Sequence, residues 1–272
     1  MPAGKYRSTF LSVCYYHLSF FPLCPVWRLG GQSHHLRLGC KFGRTIFFVS
    51  SVQMIDQKGY SDLEKEAIYK VMAQRRDMRH FNNEPVSEEI LSRVLSTAMM
   101  APSVGLMQPW RFIRITDYEL RKSLHLIVEE ERQLTAQALD ERKDEFLKLK
   151  VEGILQCAEV LVAALPDGRE KHIFGRRTLP EMDLASLSCA IQNMWLAARA
   201  EGIGMGWVSL FEPEKLKSLL NMPPGSHPVA ILCIGQVDAF YEQPMLSTEG
   251  WAQVMPLEGC LFENDWGNTR SG

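Results

Sequence analysis

The sequence predicts one domain in which α-helices and β-strands alternate, from about residue 54 to residue 272. Two observations predict it: apolar residues recur at three- and four-residue spacing in several segments, and short β-branched apolar runs lie between them. The 272 residues are 46% hydrophobic and 23% charged, which is enough for one sizeable core. A formal net charge of −2 argues against a general nucleic-acid-binding protein.

The first 53 residues differ in composition from the rest of the chain. They contain six Lys or Arg and no acidic residue, whereas the remainder contains 24 basic and 32 acidic residues. The apolar run from Phe10 to Trp27 suggests a signal peptide or membrane anchor, but His17 and two prolines interrupt it and no A-x-A-like cleavage site follows. We therefore expect a disordered extension, or a mis-assigned start with the initiator at Met54, and a cytoplasmic protein without stable membrane association.

Capping signals and apolar spacing predict the helices. Ser61-x-x-Glu64 is a capping box, Ser87 and Asp117 begin two further helices, and Pro213 is a typical first residue of a short one. The segment 182–200 predicts a long helix with almost no charge, which is typical of a helix in a core or at a subunit interface. The first helix carries an apolar stripe formed by Leu63, Ala67, Ile68, Val71 and Met72.

Four apolar runs predict strands over 110–115, 159–165, 207–211 and 229–237. The highly charged stretch 129–150 keeps helical spacing. Its polarity predicts a solvent-facing excursion, which is either a lid or a plain surface helix.

The cysteines indicate reduced thiols, because none of the seven has CxxC spacing. Cys157, Cys189, Cys233 and Cys260 lie in apolar contexts and are expected to be buried. The histidines after Met54 are isolated, so no metal site is predicted. The other three cysteines are Cys14, Cys24 and Cys40.

The stretch Arg75-Arg76-Asp77-Met78-Arg79 places three guanidiniums around one carboxylate at the end of the first helix. Arginine is suited to bidentate phosphate recognition, and an Asp among cations is expected to stay ionised at neutral pH. The cluster therefore predicts an anion site with an acid available for chemistry. The alternative is a solvated helix end whose charges neutralise one another.

The glycines of Gly202-Ile203-Gly204-Met205-Gly206 have the wrong spacing for a dinucleotide fingerprint. We expect them to end a helix and to let the backbone approach a neighbouring group closely.

Three segments together resemble the flavin-dependent nitroreductase superfamily. They are the 75–79 cluster, the segment 101–112 with its Pro-Ser-Val-Gly and Gln-Pro-Trp, and the segment 205–211 with its Gly-Trp-Val-Ser. With the ending 256–267 they look like the BluB type, the dimethylbenzimidazole synthases. The resemblance covers residues 68–267. Ordinary nitroreductases usually carry a small polar residue where Asp77 stands, so this acid is the most discriminating residue.

The resemblance implies a homodimeric α+β fold, with a mixed central sheet flanked by helices and FMN bound at the dimer interface. The loop 102–105 would come from the partner subunit. Family members often have a basic residue after the tryptophan that matches Trp251, whereas Ala252 and Gln253 follow here, which puts FMN affinity in question. The implied cofactor-binding residues are Arg75, Arg76, Asp77, Met78, Arg79, Pro102, Ser103, Val104, Gly105, Gly206, Trp207, Val208 and Ser209.

The implied activity is the oxygen-dependent conversion of reduced FMN into 5,6-dimethylbenzimidazole, the lower ligand of cobalamin. Asp77 would be the acid/base group, Ser209 would supply a positioning hydroxyl, O2 would be the co-substrate, and a separate NAD(P)H-dependent flavin reductase would supply reduced FMN. Two alternatives stay open. The chain would be an ordinary FMN-dependent NAD(P)H nitro or quinone reductase, with Asp77 a salt-bridge partner of Arg79, or a flavin-binding protein without turnover.

Overall fold

The computed structural model describes residues 59–268. The expectations for residues 1–53, including the targeting hypothesis and the alternative start at Met54, lie outside this range. Within it, no helix is both long enough and apolar enough to cross a membrane. The helices are α1 (Asp62–Gln74), α2 (Glu88–Ala98), α3 (Tyr118–Ala138), α4 (Lys143–Lys148), α5 (Met182–Ala200), α6 (Pro213–Leu219) and α7 (Met245–Thr248), and the strands are β1 (Arg111–Ile115), β2 (Glu159–Leu165), β3 (Gly204–Val208) and β4 (His227–Gly235).

The four strands form one sheet in the order β1-β2-β4-β3, and every neighbouring pair is antiparallel. Register places Val162 opposite Ile231 in the two central strands, and a shift between Ala163 and Ala164 marks a bulge. Among the described residues, parallel pairing is confined to an isolated bridge between Asp77 and Met205. The α+β class is confirmed, but the expected mixed sheet is antiparallel in all three of its strand pairs, and the parallel bridge is not one of them.

Helices cover both faces of the sheet. Successive side chains of β2 point to opposite faces, and the apolar ones on each face pack against helices. Leu161 packs with the apolar sides of α2 and α5, which include Leu91 and Met194. Val160 and Val162 pack on the opposite face with α3 and α6. Burying one such side chain contributes about 1.5–3 kcal/mol, so these two clusters hold the sheet rigidly behind the loops at its ends.

Helix α1 begins as predicted but buries none of its side chains against the described part of the chain. The capping box is present, with Glu64 accepting from the Ser61 backbone N–H at 2.8 Å. The predicted apolar stripe is largely exposed, Leu63 by 80% and Met72 by 50%. Within residues 59–268, this stripe therefore does not join the core. The α5 helix, in contrast, places Leu187, Ile191 and Met194 in the core.

The predicted start of the third strand was wrong by three residues. The strand runs over Gly204–Val208, not 207–211, so Gly204 and Gly206 lie inside it. Glycine disfavours strands by local propensity, but a side chain at Gly204 would meet Val237 and one at Gly206 would meet the Met78 carbonyl. Gly202, at φ +76°, ends α5 as expected.

The expectation that all four later cysteines are buried was correct for two of them. Cys157 and Cys233 are buried, whereas Cys189 and Cys260 are exposed thiols. Cys189 lies on α5, on the side of the helix that faces away from the core. Apolar neighbours in the sequence therefore do not ensure that a cysteine is buried in the fold.

Candidate functional site

A cleft of about 380 Å³ opens beside the end of β3. One side, here called the polar wall, consists of Arg75, Arg76, Asp77 and Arg79 together with the segment 207–209. A second side, the apolar wall, consists of Phe146, Leu149 and Val151 together with Trp251. The other lining residues are Met72, Lys150, Leu210, Pro244, Met245 and Leu246.

The polar wall is built by hydrogen bonds between the segment 77–79 and β3. The Met78 N–H donates to the Met205 carbonyl at 3.0 Å. The Trp207 N–H donates to Asp77 Oδ1 at 2.9 Å, and Arg79 Nη2 donates to the Trp207 carbonyl at 2.8 Å. These bonds fix both the backbone and the two charged side chains, which limits the entropy lost when a ligand binds.

Gly206 sets how closely the two segments approach. A Cβ atom at this position would lie 2.2 Å from the Met78 carbonyl oxygen and 2.8 Å from Arg79 Nη1. The prediction that a glycine allows close backbone approach is correct. The neighbouring group is the 77–79 segment of the same chain.

Two arginine nitrogens of the polar wall are buried without a hydrogen-bond partner among the described residues. They are Arg76 Nε and Arg79 Nη1. Arg76 uses its other nitrogens to hold backbone carbonyls, including that of Glu242 at 2.6 Å. Arg79 is only 9% exposed. Both nitrogens are enclosed by protein, so the two guanidiniums contact the cleft through their other atoms.

Asp77 is held between a guanidinium and a backbone N–H. Its Oδ2 accepts from Arg79 Nη2 at 2.5 Å, while Oδ1 accepts from Trp207. Burial raises the pKa of Asp77 above its ordinary value, and the charges of Arg79 and Arg75 and the Trp207 hydrogen bond oppose that rise without cancelling it. The expectation that neighbouring cations keep Asp77 ionised at neutral pH did not include this effect of burial. The side chain keeps 41% of its exposure, so it is accessible from the cleft.

Trp195 holds the helix end in place from behind. Its Nε1 donates to the Arg76 carbonyl at 3.1 Å and to the Met205 carbonyl at 2.8 Å. The Arg75 guanidinium lies over its ring, 4.6 Å from the centroid. The arginines are therefore attached to the core through α5, which is not the arrangement of a loose solvated helix end.

Two residues of the apolar wall, Phe146 and Leu149, come from the charged stretch 129–150, whose role the sequence left open. Phe146 and Leu149 are buried in a small cluster of their own, with the Phe146 ring 6.0 Å from that of Trp251. Arg142 stacks on Trp251 at 3.5 Å and pairs with Glu145. Phe146, Leu149 and Lys150 of this stretch line the cleft, and whether the stretch acts as a lid stays a prediction. Sequence reasoning did not identify the cleft residues Phe146, Leu149, Lys150, Val151, Pro244, Met245 and Leu246.

The structure brings together only part of the predicted site. Trp207, Val208 and Ser209 line the cleft, and within residues 59–268 the Ser209 hydroxyl makes no hydrogen bond. Met78 is fully buried and Gly206 lies behind the cleft wall. Neither lines the cleft, so both contribute by holding the polar wall in place.

The loop Pro102–Gly105 does not line this cleft. It packs near the start of α5, where the Val104 N–H donates to Ser186 Oγ at 3.0 Å. Its contribution to a site on the partner subunit stays a prediction.

The geometry is compatible with a flat anionic ligand such as FMN. The polar wall offers the guanidiniums of Arg75, Arg76 and Arg79, and the apolar wall offers Phe146, Leu149 and Trp251 for an aromatic ring. The carboxylate of Asp77 lies in the same cleft, where it could hold or accept a proton.

Comparisons with known proteins agree with this geometry. The Nitroreductase family profile matches residues 72–236. The chain is 37% identical to a 5,6-dimethylbenzimidazole synthase of Rhodospirillum rubrum, over 67% of this chain and 87% of that protein. It is 35% identical to a protein of the same name from Rhodobacter capsulatus, over 73% of this chain and 97% of that protein.

Solved structures show the same fold at lower identity. An NADPH:FMN oxidoreductase from Vibrio harveyi, complexed with NAD+, has a TM-score of 0.57 at 19% identity and covers 75% of this chain and 80% of that one. An iodotyrosine deiodinase bound to FMN and 3-iodo-L-tyrosine has a TM-score of 0.54 at 21% identity and covers 70% and 97%.

Proposed function

Because the chain belongs to the nitroreductase family and is an oxidoreductase, we propose that it is a 5,6-dimethylbenzimidazole synthase, which converts reduced FMN and O2 into the lower ligand of cobalamin. The observation that carries the proposal is the carboxylate of Asp77, which lies in the arginine-rich cleft with one side accessible. The names of the 35–37% identical relatives support the same reaction.

Arg75, Arg76 and Arg79 bind and orient FMN in this proposal. Their guanidiniums line the cleft, and the fixed forks favour one orientation of a phosphate or carbonyl group. Bound reduced FMN supplies the reducing electrons and the carbon skeleton of the product. The apolar wall excludes water from the cleft, which strengthens each of these charged contacts.

Asp77 holds and moves the proton. Its raised pKa lets the carboxyl group carry a proton closer to neutral pH than an ordinary Asp would, and Arg79 and the Trp207 N–H keep its orientation fixed. Ser209 lines the same cleft and offers a hydroxyl that donates or accepts one hydrogen bond at a reacting oxygen.

A second candidate function follows from the two contacts that Asp77 makes within the chain. Both carboxylate oxygens accept hydrogen bonds from the polar wall, which accounts for an acid here without any proton transfer. On that basis the protein would be an ordinary FMN-dependent NAD(P)H nitro or quinone reductase, with the flavin retained. The third possibility, flavin binding without turnover, needs only the arginines.

One incubation separates the three functions. The protein is supplied with FMN, NADH and a separate flavin reductase in air, and flavin and benzimidazole are followed by liquid chromatography with mass spectrometry. We expect 5,6-dimethylbenzimidazole to appear as FMN is lost. Flavin that is only reoxidised, faster than without the protein, favours the ordinary reductase. Flavin that stays bound and protected from oxidation favours the carrier.

We also propose a homodimer. The exposed apolar side chains of α1, which include Leu63 and Tyr69, need a cover, and the loop Pro102–Gly105 does not reach the cleft of its own chain. A second copy would supply both. Light scattering at micromolar concentration should give twice the monomer mass, and a monomeric mass with FMN still bound would contradict the proposal.

A further inference from the structure

The loop after β4 contacts the segment that carries the arginine cluster. Phe240, Tyr241 and Glu242 follow one another in this loop. The Arg199 guanidinium of α5 lies over the Phe240 ring, 4.1 Å from its centroid. The Glu242 carbonyl accepts from Arg76 Nη2 at 2.6 Å. Tyr241 is therefore held between two residues that are themselves attached to arginines.

The Tyr241 hydroxyl makes two hydrogen bonds. It accepts from the backbone N–H of Arg79 at 3.2 Å, and it lies 2.7 Å from Nδ1 of His80. A phenol has one hydrogen to donate and lone pairs with which to accept, so both bonds form together when His80 Nδ1 is an acceptor. The two rings also meet edge to face, with centroids 6.0 Å apart. His80 therefore fixes the direction of the hydroxyl.

The Arg79 N–H depends on this hydroxyl. Within residues 59–268, Tyr241 supplies its hydrogen-bond acceptor, and Arg79 is only 9% exposed. Removal of the hydroxyl would leave a nearly buried donor unsatisfied, which is costly. The preceding N–H, that of Met78, is held by the Met205 carbonyl of β3. Two successive N–H groups of the polar wall are thus held by two different elements.

Arg79 connects this contact to the carboxylate in the cleft. Its Nη2 donates to Asp77 Oδ2 at 2.5 Å and to the Trp207 carbonyl at 2.8 Å. Because the backbone and the side chain of Arg79 are both held, its guanidinium approaches Asp77 from a fixed direction. A shift of the Arg79 peptide would move the guanidinium and the carboxylate with it, and small displacements of a reacting group lower rates strongly.

We propose that Tyr241 is a positioning residue for the proposed reaction. It holds the Arg79 peptide and, through Arg79, sets the direction of the Asp77 carboxylate. Tyr241 does not line the cleft, so it acts through Arg79 and not on the ligand. The inference rests on the proposed function only in taking Asp77 as the acid/base group.

The first measurement requires neither flavin nor activity. Amide hydrogen exchange is followed by NMR in protein labelled with ¹⁵N at arginine, for the wild type, Tyr241→Phe and Tyr118→Phe. In Tyr241→Phe the Arg79 N–H should exchange about tenfold faster, because it loses its acceptor. The Arg121 N–H, which donates to the Asp117 carbonyl at 3.1 Å, should be unchanged. Tyr118 is the matched control, since its side chain is exposed and makes no hydrogen bond within residues 59–268.

The second measurement is the initial rate of benzimidazole formation with FMN, NADH and a flavin reductase. In Tyr241→Phe we expect kcat to fall about tenfold and the dissociation constant of FMN to stay within about threefold, since the arginine side chains remain. In an Asp77→Asn background the same change should lower the remaining rate by less than about twofold, because no carboxylate is left to position. A general loss of stability would act equally in both backgrounds.

A second variant covers the case in which Tyr241→Phe does not fold, which thermal melting would show. His80→Ala leaves the hydroxyl in place and removes the partner that orients it. It should lower kcat about threefold in the wild-type background and leave the rate of Asp77→Asn unchanged.

The contrary outcomes separate the inference from the proposed function. Unchanged exchange at Arg79 in Tyr241→Phe, a wild-type kcat in that variant, or an equal loss in the Asp77→Asn background would overturn the positioning role and leave the proposed function in place. A wild-type protein that forms no benzimidazole would overturn the proposed function, and the exchange measurement would still decide whether Tyr241 holds Arg79.

Discussion

The two walls of the cleft are held by different forces. The polar wall is attached to β3 and α5 by directional hydrogen bonds, three of them between the segment 77–79 and the strand. The apolar wall is a small cluster around Phe146 and Leu149, separate from both main cores. Hydrogen-bonded groups keep one geometry, whereas a small apolar cluster opens at low cost. The comparison suggests that the polar wall fixes the chemistry and that the apolar wall controls access.

The largest expected effect tests the chemical role of the polar wall. Asp77→Asn keeps an acceptor for the Trp207 N–H but removes the carboxylate. Product formation should fall by roughly two to four orders of magnitude while the dissociation constant of FMN changes little, since the arginines remain. Initial rates of benzimidazole formation check this. Asp167→Asn, at an exposed aspartate outside the cleft, is the control. A near wild-type rate in Asp77→Asn would favour the ordinary reductase.

A second change tests how the polar wall is attached. In Gly206→Ala the added Cβ would lie 2.2 Å from the Met78 carbonyl, so the segment 77–79 must move away from β3. We expect a loss of about 3 kcal/mol in the free energy of unfolding, measured by urea denaturation. Gly59→Ala is the matched control, because no described atom lies within 4 Å of the Cβ that this change adds. Equal stability of the two variants would mean that the close approach is easily relieved.

A substitution in the apolar wall should lower the stability of nearby residues only. Phe146→Ala removes the largest buried side chain of its cluster, which should cost about 3 kcal/mol of local stability, the low end for such a change. Amide hydrogen exchange in α4 should accelerate by roughly 150-fold, with β2 and β4 unchanged. Leu126→Ala, at a 67% exposed position of α3, should leave both regions unchanged. Faster exchange throughout the sheet would show that the apolar wall is part of the main core.

The smallest effect concerns pH. Because the pKa of Asp77 is raised in the folded chain, its contribution to stability is fully present below the pKa of the unfolded chain and is lost as pH rises through the folded value. The free energy of unfolding of the wild type, minus that of Asp77→Asn, should therefore fall as pH rises across this window and then level off. Urea denaturation at a series of pH values measures it. A difference that rises with pH would mean that Arg79 dominates over burial.

Features that depend on neighbouring residues were predictable from the sequence. The capping box at Ser61 and the cap at Asp117 depend on residues three positions away, and both are present. The α5 helix has the predicted bounds because its apolar character is continuous. The arginine cluster was also identified, since its charges are adjacent.

Features that depend on distant residues were missed. The start of β3 depends on Met78, which is far away in the sequence but fits against Gly204 and Gly206. The apolar wall was obscured because Phe146 and Leu149 stand in a strongly charged stretch, where their three-residue spacing is the only signal. The raised pKa of Asp77 reflects burial by the folded chain, which adjacent charges do not reveal.

The absence of a side chain at Gly206 also limits how the backbone beside β3 can change during evolution. The backbone around Asp77 is held against β3 with no spare space, so its distance from the strand is not adjustable by small steps. The side chain at position 77, in contrast, is 41% exposed and points to the cleft. New chemistry on this frame would therefore arise by exchanging one side chain on a fixed support, which is a short mutational path.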